Sequence, residues 1–392
     1  MGVLPVKYYQ ERNKKTMIYL DNAATTRKKP SVVLKAYENY IIEIGTSPGR
    51  GSYSLGIQAS RMLYQSRKTI GNYFGLNKPT NVVFTKNSTE AINMFLNGFL
   101  KKGDHVLISC YEHNAVLRPI QNLKNNGIIE YDILPYEVFE HPENLKEYIK
   151  DNTKLFAITL ASNLTGEIVF NSSFAKKAKE LTNASIFVDA SQGGGKGLIN
   201  MSTDGIDFLA FTGHKDLLGL PGTGGLCSVN ELNFKPLIQG GTGIHGENFV
   251  NPDIYPDAYE AGTINMPAIW ALKNSVEYIQ NNQNVINSKE KDLLEYAIKN
   301  LSNINSVVIY NKNAKRVPTF CFNIIGKPSS DVVKELDDYG VCVRGGIHCA
   351  ILAHTYLGTV KTGAVRVSLN SYNTFEELDE FIASVRRISE CI

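Results

Sequence analysis

The order Thr212-Gly-His-Lys215 follows an apolar run, IDFLAFT (206–212), and precedes a glycine-rich turn, DLLGLPGTGG. A lysine at the exit of a core strand is partly desolvated, which lowers its pKa and suits Schiff-base chemistry. A solvated lysine at a strand exit is the bland alternative. Asp189 ends a second apolar run, SIFVDA (185–190), with Gln192 three residues further on. A carboxylate where water is scarce needs a cationic or hydrogen-bonding partner, and a pyridinium nitrogen or a neighbouring lysine would each serve. After NVVFT (81–85) comes Lys-Asn-Ser88-Thr89-Glu90, opening a helix. Two hydroxyls and free backbone N–H groups at the positive end of a helix form a phosphate cradle; the competing reading is an ordinary N-cap with a glutamate nearby. Cradle, acid and lysine along one sheet are together what pyridoxal 5'-phosphate requires, because its electron sink depends on a protonated ring nitrogen.

RGGIHCAILAH (344–354) sets one thiol, Cys349, between two glycines and two histidines. The thiol is a nucleophile, a metal ligand or a filler, since free cysteine is commonly buried and inert. Against a metal, Cys349, His348 and His354 without a fourth ligand match no common zinc spacing. GGGKG (193–197) lacks the spaced first glycine and the Ser or Thr after Lys of a phosphate loop, so it is a turn. Cys110, Cys227, Cys321 and Cys342 lie in or beside strand runs and read as core, with Cys391 exposed at the tail. His105 and His141 read as surface or loop residues, and Trp270 as helix packing.

Groups of this kind need a sheet to hold them. NVVFT, HVLIS (105–109), LFAITL (155–160), SIFVDA and IDFLAFT are strand candidates, separated by helical patterns such as 88–102 and 171–183. Strand, helix, strand at this spacing predicts an α/β fold with a mainly parallel sheet covered by helices on both faces, and ligands bind beyond the carboxyl ends of such strands. After Gly262 the texture changes: a long helix (268–301), separate strands VPTFCFNI (317–324) and AVRVSL (364–369), and a final amphipathic helix (374–388). This predicts a large domain over 17–262 and a smaller α+β domain over 263–392, with 1–16 packing on the small one and a hinge near Glu260–Pro267.

Composition narrows the function classes. Lys plus Arg (41) nearly balances Asp plus Glu (38), with no like-charge block to serve as a nucleic-acid arm, so small-molecule partners are favoured over nucleic acid. Six cysteines without close pairs are those of a reduced, cytoplasmic protein. The N-terminus lacks the apolar core of a signal peptide, and no run reaches the length of a membrane span. Val6 also departs from a myristoylation signal.

Nine motifs in order, SPGRGSYSLG (47–56), NSTEAIN (87–93), EHNA (112–115), SNLTGE (162–167), VDASQ (188–192), TGHK (212–215), YEAGT (259–263), RGGIHCA (344–350) and RVSLNSYNT (366–374), carry a resemblance over nearly the whole chain, from YLDNAATT (19–26) onward. The chain resembles the cysteine desulfurase and selenocysteine lyase family, of the class V aminotransferase group among fold-type I pyridoxal-phosphate enzymes. That implies an aspartate-aminotransferase-like large domain. It also implies that Lys215 holds the cofactor covalently, that Asp189 pairs with the ring nitrogen, that Gln192 sits near the ring hydroxyl and that His113 stacks on the ring. Ser88, Thr89, Thr212 and His214 match phosphate contacts, and Thr263 matches one given by the second subunit of a homodimer. Asn163 and Arg366 match groups that hold the substrate carboxylate, a task suited to arginine's planar fork. Arg50 either lines the site or braces its loop; Arg344 has a supporting or intersubunit role, or forms a surface ion pair. Cys349 becomes the acceptor that takes sulfur from L-cysteine as a persulfide, leaving L-alanine, with His348 or the cofactor region helping to deprotonate it. Only 17 positions separate Cys349 from Arg366, as in the family's short-loop branch, which passes sulfur to an acceptor protein. ILAHTYLGT departs from that branch. L-Selenocysteine as substrate, an aminotransferase or other lyase of the same class, and a non-catalytic binding protein are the alternatives.

Overall fold

The computed structural model describes residues 17–49 and 51–390. The predicted packing of 1–16, the loop arginine Arg50 and the tail thiol Cys391 lie outside the described residues. The chain divides into two compact units, one of Lys28–Ser162 with Glu167–Val285, the other of Met1–Arg27, Asn163–Gly166 and Ile286–Ile392. The division therefore falls inside the long helix Met266–Leu301, beyond the boundary expected at 262, and a short excursion at Asn163–Gly166 belongs to the second unit.

The first unit is built on seven strands: β1 Val82–Thr85, β2 Asp104–Ser109, β3 Ile129–Leu134, β4 Thr153–Thr159, β5 Ser185–Asp189, β6 Phe208–Thr212 and β7 Gly224–Ser228. Their spatial order is β1-β7-β6-β5-β4-β2-β3. All pairings from β6 to β3 are parallel, and β7 alone runs against its neighbours. The central strands are apolar throughout, Leu155, Phe156, Ala157 and Ile158 being fully buried, as a sheet covered on both faces demands. Helix Ser88–Phe99 packs Phe95 against Phe187 of β5 and Phe208 of β6, at ring separations of 4.8 and 4.4 Å.

Two strands escaped the sequence pattern. β3 is an edge strand whose Glu130, Tyr131 and Asp132 break the apolar signature. β7 begins with the glycines of GTGG, which read as a turn. Their lack of side chains is what the strand needs: a Cβ on Gly225 would sit 2.6 Å from the Phe211 ring, and one on Gly224 2.5 Å from the Asn87 backbone.

In the second unit, β8 Val307–Ile309, β9 Thr319–Ile324, β10 Arg344–Gly346 and β11 Ala364–Ser368 form an antiparallel sheet in the order β10-β11-β9-β8. Phe320, Phe322, Val365 and Val367 from one face meet Leu378, Phe381 and Val385 of the terminal helix Phe375–Glu390 in one core. Ile18–Tyr19 pairs in parallel with Val341–Cys342. The Asn163–Gly166 excursion is pinned to β9, since Val317 N donates to Gly166 O at 2.9 Å and a Cβ on Gly166 would lie 2.1 Å from Thr319 O. Among the described residues no helix is long and apolar enough to cross a membrane.

Candidate active site

In the first unit the candidate residues stand at the carboxyl ends of the strands. Asp189 closes β5, is almost fully buried, and its Oδ1 accepts from Ser191 N at 3.0 Å and from the Ser191 hydroxyl at 2.5 Å. The same hydroxyl lies 2.7 Å from Ser88 Oγ, so a short hydroxyl ladder joins the helix start to the acid. Asn87, not Ser88, is the N-cap: its side chain accepts from Glu90 N, and Glu90 accepts from Lys86 N, a reciprocal capping pair. Ser88 and Thr89 are then first-turn residues, whose N–H groups have no intrahelical acceptor. The capping reading is therefore met at Asn87, and it leaves the first-turn N–H groups that the cradle reading requires.

Thr212 closes β6, and its Oγ1 is buried without a hydrogen-bond partner among the described residues. Leaving such a hydroxyl unpaired costs about 1–3 kcal/mol, so an oxygen-rich ligand fits there. Gly213 lets the turn close: its N–H donates to Thr223 O, and a Cβ would meet Thr223 Oγ1 at 2.2 Å. His214 and Lys215 follow, both half-buried. Burial, with the charges of Lys215 and Lys29, pushes His214 down to about 4. Lys29 Nζ donates to His214 O at 2.9 Å. Lys196 of the glycine turn forms an ion pair with Asp216 at 3.6 Å. His113 caps the helix Asn114–Asn125, its Nδ1 accepting from Ala115 N at 3.0 Å, which places its ring proton on Nε2. Gln192 is buried, and Thr263 is exposed.

The second unit holds another set. Arg366 of β11 is 1% exposed. One of its terminal nitrogens pairs with Asp21 Oδ1, and the other donates to Asn163 O at 3.0 Å. Burial holds its pKa below the usual arginine range, Asp21 offsets part of that, and Arg344, its cross-strand neighbour, adds to it. Arg366 Nε and Asn163 Oδ1 are buried without partners among the described residues. Asn163 Nδ2 donates to His348 O at 2.8 Å. His348 and Cys349 both adopt left-handed backbone, φ +55° and +56°, a conformation costing a non-glycine residue roughly 1–2 kcal/mol. Cys349 is half-exposed and Arg344 exposed. His348 Nε2 donates to Arg344 O at 3.0 Å, and its ring stacks on His354 with centroids 5.9 Å apart. Burial, then the Arg366 charge, pushes His348 down to about 3. His348 is therefore a neutral imidazole at physiological pH and brings no positive charge to the thiol.

A family model described as Aminotransferase class-V matches residues 18–381. The chain is 31% identical to a probable cysteine desulfurase of Borreliella burgdorferi, over 95% of this chain and 92% of that protein. It is 33% identical to a probable cysteine desulfurase of Methanothermobacter thermautotrophicus, over 92% of each. Among solved structures, a cysteine desulfurase from Thermococcus onnurineus NA1 matches with a TM-score of 0.87 at 29% identity, over 100% of both chains. The chain belongs to the class-V aminotransferase family.

Within this class-V chain the residues expected from the motifs fall into two groups, each internally connected. Ser88 and Asp189 are joined through Ser191 in the first unit; Asn163, Arg366 and the His348–Cys349 turn are joined in the second. Ser191, Asp21 and the buried Glu112 carry no signal of their own in the sequence, being a loop serine, the third residue of YLDNAATT and part of the EHNA string. Glu260 of YEAGT was missed too: it binds Arg67 through both oxygens, at 2.7 and 2.5 Å, and accepts from Phe84 N at 2.6 Å. It thereby fixes the stretch before Thr263 to β1. Two expectations are corrected. His105 is fully buried, with Nδ1 on Thr153 Oγ1 and Nε2 on Asp132, because its strand lies in the sheet interior at that point. Cys342 is half-buried, unlike Cys110, Cys227 and Cys321, because its strand is a two-residue pairing outside the main sheets. Among the described residues, no three His, Cys, Asp or Glu side chains gather as a metal set.

Proposed function

We propose that this chain is a pyridoxal-phosphate-dependent cysteine desulfurase, taking L-cysteine to L-alanine and holding the sulfur as a persulfide on Cys349. The observation that carries the reading is the left-handed turn at His348 and Cys349, tied through Asn163 to the buried Arg366. A strained turn that presents a half-exposed thiol, linked through Asn163 to an arginine whose Nε–H has no partner among the described residues, suits a site that must fix a substrate carboxylate and a sulfur acceptor together. The names of the relatives support the same activity.

When bound, pyridoxal phosphate supplies the electron sink at the substrate's Cα. Lys215 would hold it and then move the Cα proton; Asp189, supplied with two hydrogen bonds by Ser191, would keep a negative charge at the ring nitrogen. Ser88, Thr89, Thr212 and His214 would hold the phosphate, His113 the ring face and Gln192 the ring oxygen, with Thr263 reaching the site of a partner subunit in a homodimer. Arg366 Nε–H is available to the substrate carboxylate. Cys349 would attack as thiolate: its sulfur bonds to the substrate sulfur, the carbon–sulfur bond breaks with its electron pair left on the carbon side, Cβ takes up a proton, and Lys215 returns the proton to Cα to complete alanine. The sulfur then passes to an acceptor protein. The test is mass spectrometry of Cys349 after L-cysteine is added, with alanine measured in parallel. A gain of one sulfur atom on Cys349, lost in Cys349→Ala, is expected; no alanine from the wild type would sink the proposal.

A further inference from the structure

Glu112 is fully buried in the turn after β2, next to His113, and has a role in none of the steps above. Its Oε1 accepts two hydrogen bonds, from Ser109 Oγ at 2.5 Å and from Thr159 N at 2.6 Å. Its Oε2 is buried with no partner among the described residues. Thr159 ends β4 and is paired in register with Asp189 of β5, so the carboxyl of Glu112 is fastened to the strand position beside the acid that closes the neighbouring strand. The two acids are treated oppositely. Asp189 Oδ1 is given two donors by Ser191, whereas Glu112 Oε2 is given none among the described residues. A buried carboxylate oxygen without a donor is strongly disfavoured, and two close carboxyls do not both ionise readily. Environments that push paired acids apart assign the proton to one and the charge to the other.

We infer that Glu112 is the proton-bearing partner of Asp189: Asp189 carries the pair's negative charge, Glu112 holds a proton on Oε2, and docking of a cationic ring nitrogen on Asp189 loosens that proton. The cation cancels the field of Asp189 at Glu112, so the Oε2–H bond breaks more easily and the proton passes to solvent. Burial first, and then the Asp189 charge, push Glu112 up to about 8, against the hydrogen bonds from Ser109 and Thr159. The other titratable groups around it are Cys110 at the end of β2, Tyr111 bonded to Glu167 at 2.8 Å, Glu137 and His113. Burial with Glu137, Glu112 and Glu167 holds Cys110 up at about 12, so that thiol stays neutral beside it. Glu112 is a positioning residue, acting on the cofactor through Asp189, and the inference rests on the proposed pairing of Asp189 with the ring nitrogen.

Infrared difference spectroscopy of the full chain, before and after reconstitution with pyridoxal phosphate, tests it. The expected result is a protonated-carboxyl band at pH 7 that is absent in Glu112→Gln, that titrates away near pH 8, and that weakens when the cofactor binds. Asp189→Asn provides a second route should Glu112→Gln not fold, because it removes the like charge that opposes ionisation of Glu112. Since Asp189 raises Glu112, its removal lowers the midpoint, and the band is expected to vanish at lower pH than in the wild type. Absence of the band in the wild type, or a midpoint that Asp189→Asn leaves unmoved, overturns the inference. Failure of the underlying cofactor proposal looks different: no visible absorption develops with pyridoxal phosphate, and the carboxyl band, present or not, ignores the cofactor.

Discussion

Arg366 illustrates how much a single side chain is asked to do. It is buried, bonded to Asp21 and to Asn163 O, and its Nε–H has no partner among the described residues. Arg366→Lys removes the planar fork while keeping charge, so KM for L-cysteine is expected to rise at least tenfold, with a smaller fall in kcat; steady-state kinetics checks the split. His348 behaves differently. With its pKa pushed down to about 3, it stays neutral through the range where an ordinary histidine titrates. The acidic limb of kcat between pH 5 and 7 is therefore expected to be the same in His348→Asn as in the wild type, whatever the absolute rate; a limb that disappears in the variant would mean that His348 does titrate there.

Gly224 shows why an element has the sequence it has. It starts β7, where a Cβ would lie 2.5 Å from the backbone of Asn87, the cap of the helix bearing Ser88 and Thr89. Gly224→Ala must displace either the strand or the cap, so pyridoxal-phosphate affinity, measured by fluorescence titration, is expected to fall at least tenfold and Tm by several degrees. Asn87→Ala removes only the capping bond and is expected to cost about 1 kcal/mol in denaturant unfolding. The Arg67–Glu260 pair anchors another element, with both side chains 5% exposed. Glu260→Ala leaves a buried guanidinium uncompensated, so a loss of about 3–5 kcal/mol is expected. The cap was legible from sequence as an N-cap with a glutamate nearby, but the roles of Gly224 and Glu260 were not: the glycines of GTGG read as a turn because their strand function depends on Phe211 and Asn87, which only the folded sheet brings near.

For the whole molecule, buried titratable groups set the pH of greatest stability. His214 and His348 are pushed down to about 4 and 3. The folded state therefore binds fewer protons than the unfolded one, and stability is lost as pH falls below about 6.5. Glu112 is pushed up to about 8, so between roughly 4.5 and 8 the folded state binds its proton more firmly and stability declines as pH rises. His105 and His354 are also held below the usual histidine range by burial, so the histidines outweigh one glutamate below about 6.5 and the glutamate dominates toward 8; the denaturation midpoint is expected to peak between about pH 6.5 and 7. In Glu112→Gln the decline from pH 6.5 to 8 is expected to flatten, which urea titrations at several pH values will show.

The sequence by itself determined the α/β class, five of the seven large-sheet strands, the long and terminal helices, and the candidate residues at strand ends. Those features follow from local periodicity and from motif order, which survive without any partner being near. Tertiary structure decided the rest. The edge strand β3 and the glycine-led β7 take their meaning from neighbours in the sheet; the excursion Asn163–Gly166 joins the second unit because Gly166 lies against Thr319. His105 is buried because its strand has neighbours on both sides. The charge states of His348 and Glu112 are set by burial and by groups distant in sequence, Arg366 and Asp189, whose fields no linear pattern records.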